Sequence, residues 1–289
     1  MRIIFFTNEN FASSEEFRYI FANVAASFRD VHVVAIRRSQ AREKSFSLLT
    51  LYQKIRKVLW RARRFGVAHT LGIVTSYPLQ LFITQRYEQE LDEGYRALHR
   101  PLAKLQPEKA VYVDTVNGPD AVEAISRLEP DVVIQVKAGI LRRQVFEIAR
   151  IGTLNLHPGI APLIKGQEPG YWALWEQKRE WMGATLHYID EGIDTGPALA
   201  YAPVIPRYPG ERLPSLYVRT IERGVECLVE ALCRLERGDR WTIPPPQGER
   251  VYRTIPSGWR LLLLEMRLAS HRLKCNSYGI LPLRSKGQD

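Results

Sequence analysis

Short, uninterrupted runs of apolar residues alternate along this chain with stretches in which apolar residues return every three to four positions. The apolar runs lie at 2–7, 31–36, 110–113, 131–136 and 153–157. The helical stretches between them extend from Ser13 or Ser14 to about Phe28, from Gly118 onward, and over about 141–149. Such runs are typical of strands that are buried on both faces and joined by crossover helices. The pattern predicts an α/β fold with a mostly parallel sheet and flanking helices.

The later part of the chain continues with elements of both kinds. The pattern predicts a helix at 168–178, strands at 183–189 and near 198–204, a long helix from about Leu213 to Gly238, and an amphipathic basic helix at 259–274. Residues 239–259 are rich in Pro and Gly, which indicates loops with short strands.

A block at about 41–105 interrupts this alternation of predicted strands and helices. Its apolar residues recur at helical spacing at Leu48, Leu51, Tyr52, Ile55, Val58, Leu59 and Ala62, and its basic residues are Lys54, Arg56, Lys57, Arg61, Arg63 and Arg64. This pattern predicts one basic amphipathic helix and one or two further helices. Two interpretations stay open: a helical insertion packed on the sheet with a solvated basic face, or a surface that docks to a phosphate-rich substrate, RNA or a membrane. Its apolar residues are also compatible with a homodimer surface.

Composition narrows the class of protein without choosing its function. The 289 residues are 45% hydrophobic and 25% charged, as in an ordinary globular protein with a full core. The net charge of +10 indicates an anionic partner, such as nucleic acid, a phosphorylated small molecule or a lipid surface. No signal peptide or transmembrane segment is expected. Cys227, Cys233 and Cys275 lack CxxC spacing, so we expect no disulfide framework or zinc site and infer a cytoplasmic location.

The candidate chemistry lies at the end of the apolar run TLNLH. The chain has no GxGxxG after its first strand and no GxxxxGK(S/T), HExxH or GxSxG motif. Asn155 and His157 alternate onto one face of the predicted strand, at the carboxyl end where α/β sheets place ligands. The loop from Asp190 to Asp194 can return a carboxylate to the same cleft. An amide, an imidazole and a carboxylate around one point suit acyl transfer.

Each of these residues also has a purely structural interpretation. Asn155 can cap a turn, His157 can be a hydrogen-bonded histidine at a strand end, and Asp194 can form an Asx turn. Their joint occurrence, with prolines and glycines around them, favours a site. For His187, on the predicted strand at 183–189, we favour a structural or supporting role.

Two segments, NLHPGIAPLIKGQEPGYWAL and GATLHYIDEGIDTGPAL, resemble the folate-dependent formyltransferases. This family contains glycinamide ribonucleotide, methionyl-tRNA and sugar N-formyltransferases, and its signature pairs an Asn-x-His motif with an Asp-x-Gly-x-Asp loop. The likeness covers roughly 110–235 and, less strongly, 1–36. It implies a Rossmann-like formyltransferase fold with a catalytic domain at 1–238, which carries the helical insertion, and a C-terminal extension at 239–289 with short strands and the basic helix.

The resemblance also implies a site. Its catalytic residues are Asn155, His157 and Asp194, its formyl donor is 10-formyltetrahydrofolate, and it uses no metal. The implied folate pocket is lined by one loop of Lys137, Ala138, Gly139, Ile140 and Leu141 and by a second loop with Asp190, Gly192 and Ile193. Two places depart from the family: Gly159 replaces the usual serine, and Ile164-Lys165 replace an aromatic residue and arginine.

The resemblance does not identify the molecule that accepts the formyl group. We expect a primary amine of a small molecule, with or without a phosphate group, and a nucleotide-linked amino sugar or a related biosynthetic intermediate is the first choice. Methionyl-tRNA formyltransferases carry a sizeable barrel domain after the catalytic part, and the stretch after Asp194 is shorter than such a domain requires. A methionyl-tRNA formyltransferase-like enzyme is therefore an alternative and not the first choice. A 10-formyltetrahydrofolate hydrolase is another. The alternative outside catalysis is a basic RNA- or membrane-surface-binding module; nucleic acid is the less favoured partner.

Overall fold

The computed structural model describes residues 1–37, 63, 66–98, 105–206 and 211–277. Its strands are β1 (Ile3–Asn8), β2 (Val31–Ile36), β3 (Val111–Val113), β4 (Val132–Val136), β5 (Gly152–His157), β6 (Ile164–Gly166), β7 (Gly183–Tyr188), β8 (Ala198–Pro203) and β9 (Val251–Arg253). Its helices are α1 (Glu15–Ser27), α2 (Val67–Thr75), α3 (Tyr77–Ala97), α4 (Pro119–Arg127), α5 (Arg143–Phe146), α6 (Pro169–Glu176), α7 (Leu213–Glu236) and α8 (Gly258–Ser277).

Seven of the strands form one sheet in the order β3-β2-β1-β4-β5-β7-β8. The five strands from β3 to β5 are parallel, and β7 and β8 continue the sheet in antiparallel pairing. The run IIFF of β1 is fully buried because helices cover both faces of this central strand. The predicted α/β fold with a mostly parallel sheet and flanking helices is confirmed.

Alternate strand residues build separate apolar clusters on the two faces of the sheet. Phe5 and Leu154 pack with α1, α3 and α7 on one face, which we call the α1/α7 face. Ile4 and Phe6 pack with α4 and α5 on the other, the α4/α5 face. A third cluster joins α6, α8 and the start of α7, and it contains Trp172, which is 4% exposed. The core therefore encloses the sheet and leaves its carboxyl edge for polar side chains.

Two predicted elements differ from those observed. The helix expected at about 141–149 is only α5, because the amides of Arg150 and Ile151 bond to the carbonyls of Pro130 and Asp131 instead of continuing the helix. The segment after His157, for which a loop is predicted, contains β6, and β6 pairs in parallel with β9 near the end of the described chain. Both differences arise from partners that are distant in the sequence.

The predicted insertion is described in part. The basic amphipathic helix expected over 48–64 lies outside the described residues, apart from Arg63. The described helices of the insertion are α2 and α3, and α3 packs against α1, α7 and α8. Within the described ranges, none of the helices combines the length and the apolar character that crossing a bilayer requires.

Candidate active site

The carboxyl end of β5 presents two polar side chains on one face of the sheet. Leu154 is fully buried on the α1/α7 face, and Leu156 packs against the same cluster. Because side chains alternate along a strand, Asn155 and His157 project together from the α4/α5 face. His157 is 4% exposed and Asn155 is half-buried.

The imidazole of His157 lies between a backbone carbonyl and a carboxylate. Its Nε2 is 3.2 Å from the carbonyl oxygen of Ile164, and its Nδ1 is 3.6 Å from Oδ2 of Asp194. A carbonyl oxygen only accepts hydrogen bonds, so Nε2 carries the proton and Nδ1 is the nitrogen left to take another. Burial lowers the pKa of His157 below its ordinary 6.5, against the opposing charge of Asp194. The ring is therefore neutral at pH 7.

Asp194 reaches this position from the loop between β7 and β8. Its backbone has a φ of 49°, and its Oδ2 accepts a hydrogen bond of 2.9 Å from the amide of Gly166. Its Oδ1 lies 3.7 Å from Nε2 of His187. Burial opposes ionisation, but the charge of His157 and the hydrogen bond from the Gly166 amide favour the carboxylate, and the pKa of Asp194 is lowered to about 2. This side chain is thus a carboxylate at neutral pH.

The side-chain amide of Asn155 is oriented by His187, its direct cross-strand neighbour in β7. Nδ1 of His187 donates to the carbonyl oxygen of Tyr188 at 2.8 Å, and Nε2 is the ring nitrogen that presents a lone pair to Asn155. Nδ2 of Asn155 lies 3.2 Å from that lone pair and donates one hydrogen to it. This contact uses one of the two amide hydrogens and leaves the other for a ligand.

The pairing of β6 with β9 determines where the Gly166 amide lies. In this register Gly166 is opposite Arg253, and its φ is 98°. A Cβ at this position would collide with the carbonyl oxygen of Arg253. Glycine is therefore required by both the left-handed conformation and the close approach of the two strands. Since this amide holds Asp194, strand β9 supports the candidate site.

Gly166→Ala is expected to destabilise the protein by at least about 1–3 kcal/mol, because alanine adds both left-handed strain and a steric collision. The measurement is the free energy of unfolding from urea denaturation. Gly238→Ala is the matched control, since Gly238 has a φ of 95° with nothing within 4 Å of an added Cβ. An equal loss in the two variants would show that the collision with β9 contributes nothing.

The replacement of the usual serine by Gly159 has a steric reason in this chain. A Cβ at Gly159 would lie 2.7 Å from Cβ of Pro169 and 2.9 Å from Nε2 of His157. The loop is held this close by Thr185, whose hydroxyl donates to the carbonyl of Gly159 at 2.7 Å and accepts from the amide of Ala161 at 2.9 Å. A serine would therefore displace the imidazole or the loop.

These side chains face a cavity of about 520 Å³ at the carboxyl edge of the parallel strands. The predicted site residues that line it are Asn155, His157, Asp194, Lys137, Gly139, Ile140 and Ile193. The structure thus brings together the three candidate catalytic side chains and part of both predicted folate loops.

The other predicted site residues lie away from the cavity wall. Ala138 and Leu141 are buried in the apolar cluster of the α4/α5 face. The carboxylate of Asp190 accepts from the amide of Gly192 at 3.0 Å and from the hydroxyl of Thr195 at 2.7 Å. The Asx turn considered for Asp194 is therefore made by Asp190, and it shapes the loop that carries Asp194.

Sequence reasoning missed several polar residues of the cavity wall, namely Glu16, Gln135, Gln167, Tyr217 and Tyr252. Glu15 and Glu16 both stand in the first turn of α1, where the helix dipole favours any acid. Nothing in the sequence therefore separates the two. Tyr252 lies on β9, and its position follows from the pairing with β6.

The described part of the chain has no cluster of three or more His, Cys, Asp or Glu side chains placed to hold a metal ion.

Comparison by family model, by sequence and by fold finds formyltransferases each time. A family model described as formyl transferase matches residues 79–232. A methionyl-tRNA formyltransferase of Chloroflexus aggregans is 39% identical over 144 residues, which are 50% of this chain and 44% of that protein. The match therefore spans about half the length of the curated relative.

Solved structures share the fold of this chain. A 4-N formyltransferase from Francisella tularensis superposes with a TM-score of 0.52 at 16% identity, over 88% of this chain and 76% of that one. A sugar N-formyltransferase from Shewanella sp FDAARGOS_354 superposes with a TM-score of 0.51 at 15% identity, over 100% of this chain and 84% of that one.

Proposed function

Because the chain belongs to the formyl transferase family, we propose that it transfers a formyl group from 10-formyltetrahydrofolate to a primary amine of a small molecule. The observation that carries this proposal is the convergence of Asn155, His157 and Asp194 on one cavity of about 520 Å³. An amide donor and an imidazole beside a carboxylate suit a reaction in which charge develops on a carbonyl oxygen while a proton moves.

In the proposed complex, the folate portion of the donor lies against the cavity wall that contains Ile140 and Ile193. These isoleucines are 72% and 40% exposed, and the flat face of an aromatic ring system would cover them. Asn117 holds the first loop, because it donates to the carbonyl of Ile140 at 2.9 Å and accepts from the amide of Arg142 at 2.7 Å. Lys137 contributes its backbone to this wall, since its side chain points to Glu16. The donor supplies the formyl group and the nitrogen that leaves.

In the proposed mechanism, Asn155 donates its free amide hydrogen to the formyl oxygen, where negative charge develops as the amine attacks. His157 is neutral at pH 7 and takes the proton of the attacking amine at Nδ1. Asp194, 3.6 Å from that nitrogen, stabilises the imidazolium so formed. The proton then passes to the departing nitrogen as its bond to the formyl carbon breaks. The neutral ring and the ionised carboxylate are the protonation states that this transfer needs at its start.

We infer that the acceptor is a nucleotide-linked amino sugar or a related intermediate. The name of the Shewanella structure supports a sugar acceptor. The second candidate is methionyl-tRNA, which the name of the Chloroflexus relative supports. The net charge of +10 suits the phosphates of either acceptor.

The proposal is tested by mass spectrometry for the gain of one formyl group on nucleotide-linked amino sugars, amino acids and methionyl-tRNA. Formylation of the amino sugars supports the first candidate, and formylation of methionyl-tRNA alone supports the second. If the donor is consumed equally fast with and without an amine, the protein is a hydrolase of the donor and not a transferase. A protein that keeps its function when Asn155 and His157 are both changed would be a binding module instead.

His187→Phe is expected to lower kcat about tenfold with little change in acceptor KM, because Asn155 loses the hydrogen bond that orients its amide. Steady-state kinetics separate the two parameters. His187→Gln, which keeps a side-chain acceptor, should recover part of the loss. A change in KM alone, or no recovery by glutamine, would show that His187 only fills space.

A further inference from the structure

A buried carboxylate faces the cavity and has no part in the proposed mechanism. Glu16 is 8% exposed and lines the cavity together with Lys137 and Tyr217. Its Oε2 accepts from Nζ of Lys137 at 2.7 Å, and its Oε1 accepts from the hydroxyl of Tyr217 at 3.2 Å. We call these three residues the Glu16 cluster.

The Glu16 cluster has hydrogen-bonding capacity beyond these two contacts. A carboxylate has about four acceptor positions and an ammonium group has three donors. The two contacts occupy two positions on Glu16 and one hydrogen of Lys137. The side chain of Lys137 is 53% exposed, so its other hydrogens are accessible from the cavity. Burial, followed by the charge of Glu16, raises the pKa of Tyr217 well above 10 and keeps its hydroxyl a donor.

The Glu16 cluster lies apart from the catalytic side chains. Glu16 and Tyr217 belong to the two helices of the α1/α7 face, whereas Asn155 and His157 project from the α4/α5 face. The two groups meet only at the carboxyl edge, where all four line the cavity. A donor that lies against Ile140 and Ile193 therefore leaves the Glu16 cluster accessible to the acceptor.

The charges of the cluster select among chemical groups on that acceptor. Next to the carboxylate of Glu16 a phosphate is repelled, and Lys137 is already paired. An apolar group would remove water from this ion pair without replacing its hydrogen bonds. A hydroxyl group matches both partners, because it donates to the carboxylate and accepts from the ammonium group.

We infer that the Glu16 cluster binds hydroxyl groups beside the amine of the acceptor, which makes the acceptor an amino sugar or another amino polyol. This inference rests on the proposed function and assigns the specificity of the same cavity to residues outside the catalytic group. The apolar side chain of a methionyl acceptor has no matching partner at this position.

The test pairs Glu16→Gln with a change in the acceptor. The two acceptors are a nucleoside-diphosphate aminodeoxyhexose and its analogue without the hydroxyls next to the amine. In the unchanged protein, loss of these hydroxyls should lower kcat/KM about 10- to 100-fold, the usual effect of removing a hydrogen bond to a charged group. Glu16→Gln should show a similar loss with the complete acceptor, mainly as a higher KM, and should scarcely distinguish the two acceptors.

Glu15→Gln is the matched control. Glu15 precedes Glu16 in the same turn but pairs with Arg18 and Arg96, and it does not line the cavity. Glu15→Gln should discriminate between the two acceptors as the unchanged protein does. If Glu16→Gln fails to fold, Tyr217→Phe removes one contact of the carboxylate and should raise the acceptor KM about 3- to 10-fold.

The outcomes separate this inference from the function on which it rests. If the unchanged protein formylates the complete acceptor and Glu16→Gln keeps the full preference for it, the inference is wrong and the function stands. A stronger activity on amines without a neighbouring hydroxyl, such as the α-amine of methionyl-tRNA, also overturns the inference alone. If no primary amine is formylated, both fail. Calorimetric titration of the folded variants with the acceptor should show the same loss in binding without catalysis.

Discussion

Asn155→Ala is expected to lower kcat for formyl transfer about 10²- to 10³-fold, the usual effect of removing one oxyanion donor. The alanine takes away the hydrogen that faces the cavity and leaves the formyl oxygen without this donor as charge develops. The acceptor KM should change little, because the amide acts mainly in the transition state. Single-turnover rates of formylation measure the effect directly.

Asn23→Ala is the control for loss of an asparagine amide elsewhere. Asn23 lies on α1, is half-buried and donates to the carbonyl of Tyr19 at 2.8 Å, away from the cavity wall. It should leave kcat unchanged. Urea denaturation should show Asn155→Ala folded. A rate loss below tenfold in a folded Asn155→Ala protein would remove Asn155 from the proposed mechanism.

Asp194→Asn should lower kcat about 10²- to 10⁴-fold, within the range for a positioned acid–base group. The amide oxygen of asparagine still accepts from the backbone of Gly166, so the loop keeps its support. The neutral side chain no longer stabilises an imidazolium at His157, and the pKa of that ring should fall further. The pH dependence of kcat/KM checks this, because the ascending limb assigned to His157 should move to lower pH.

The same substitution carries a stability prediction. The pKa of Asp194 is about 2 in the folded protein, below its ordinary 3.8. A lowered carboxyl pKa stabilises the fold above the unfolded value and loses that contribution as pH falls through the folded value. Asp194 therefore contributes about 2 kcal/mol at neutral pH, which is lost between about pH 5 and pH 2. The free energy of unfolding of Asp194→Asn should fall less over this interval. Parallel curves for the two proteins would contradict the lowered pKa.

Much of the fold follows from local patterns. The run IIFF of β1 and the run VVIQV of β4 predict central parallel strands, because only a strand covered on both faces is apolar at successive positions. The alternation in TLNLH predicts that Asn155 and His157 share a face, which the structure shows. Side-chain alternation is a property of any strand and does not depend on its neighbours.

The contacts that complete the site depend on residues far apart in the chain. His187 orients Asn155 from the neighbouring strand, and Gly166 holds Asp194 through an amide placed by β9. The Asx turn of the second loop is made by Asp190, a choice between two similar aspartates that loop chemistry leaves open. The contacts of His187 and Gly166 are set by strand register, which a single-strand pattern does not specify, whereas the turn of Asp190 is local.

By itself, the sequence determined the parallel sheet, the polar edge at the end of β5 and the residue types available there, because strand and helix periodicities are local consequences of backbone geometry. Only the tertiary structure decided that Glu16 faces the cavity while Glu15 pairs with arginines outside it. Two acids in one helical turn have the same local preferences. They differ only in the direction in which their side chains leave the helix axis. The packing of α1 against the sheet determines which of these directions faces the cavity.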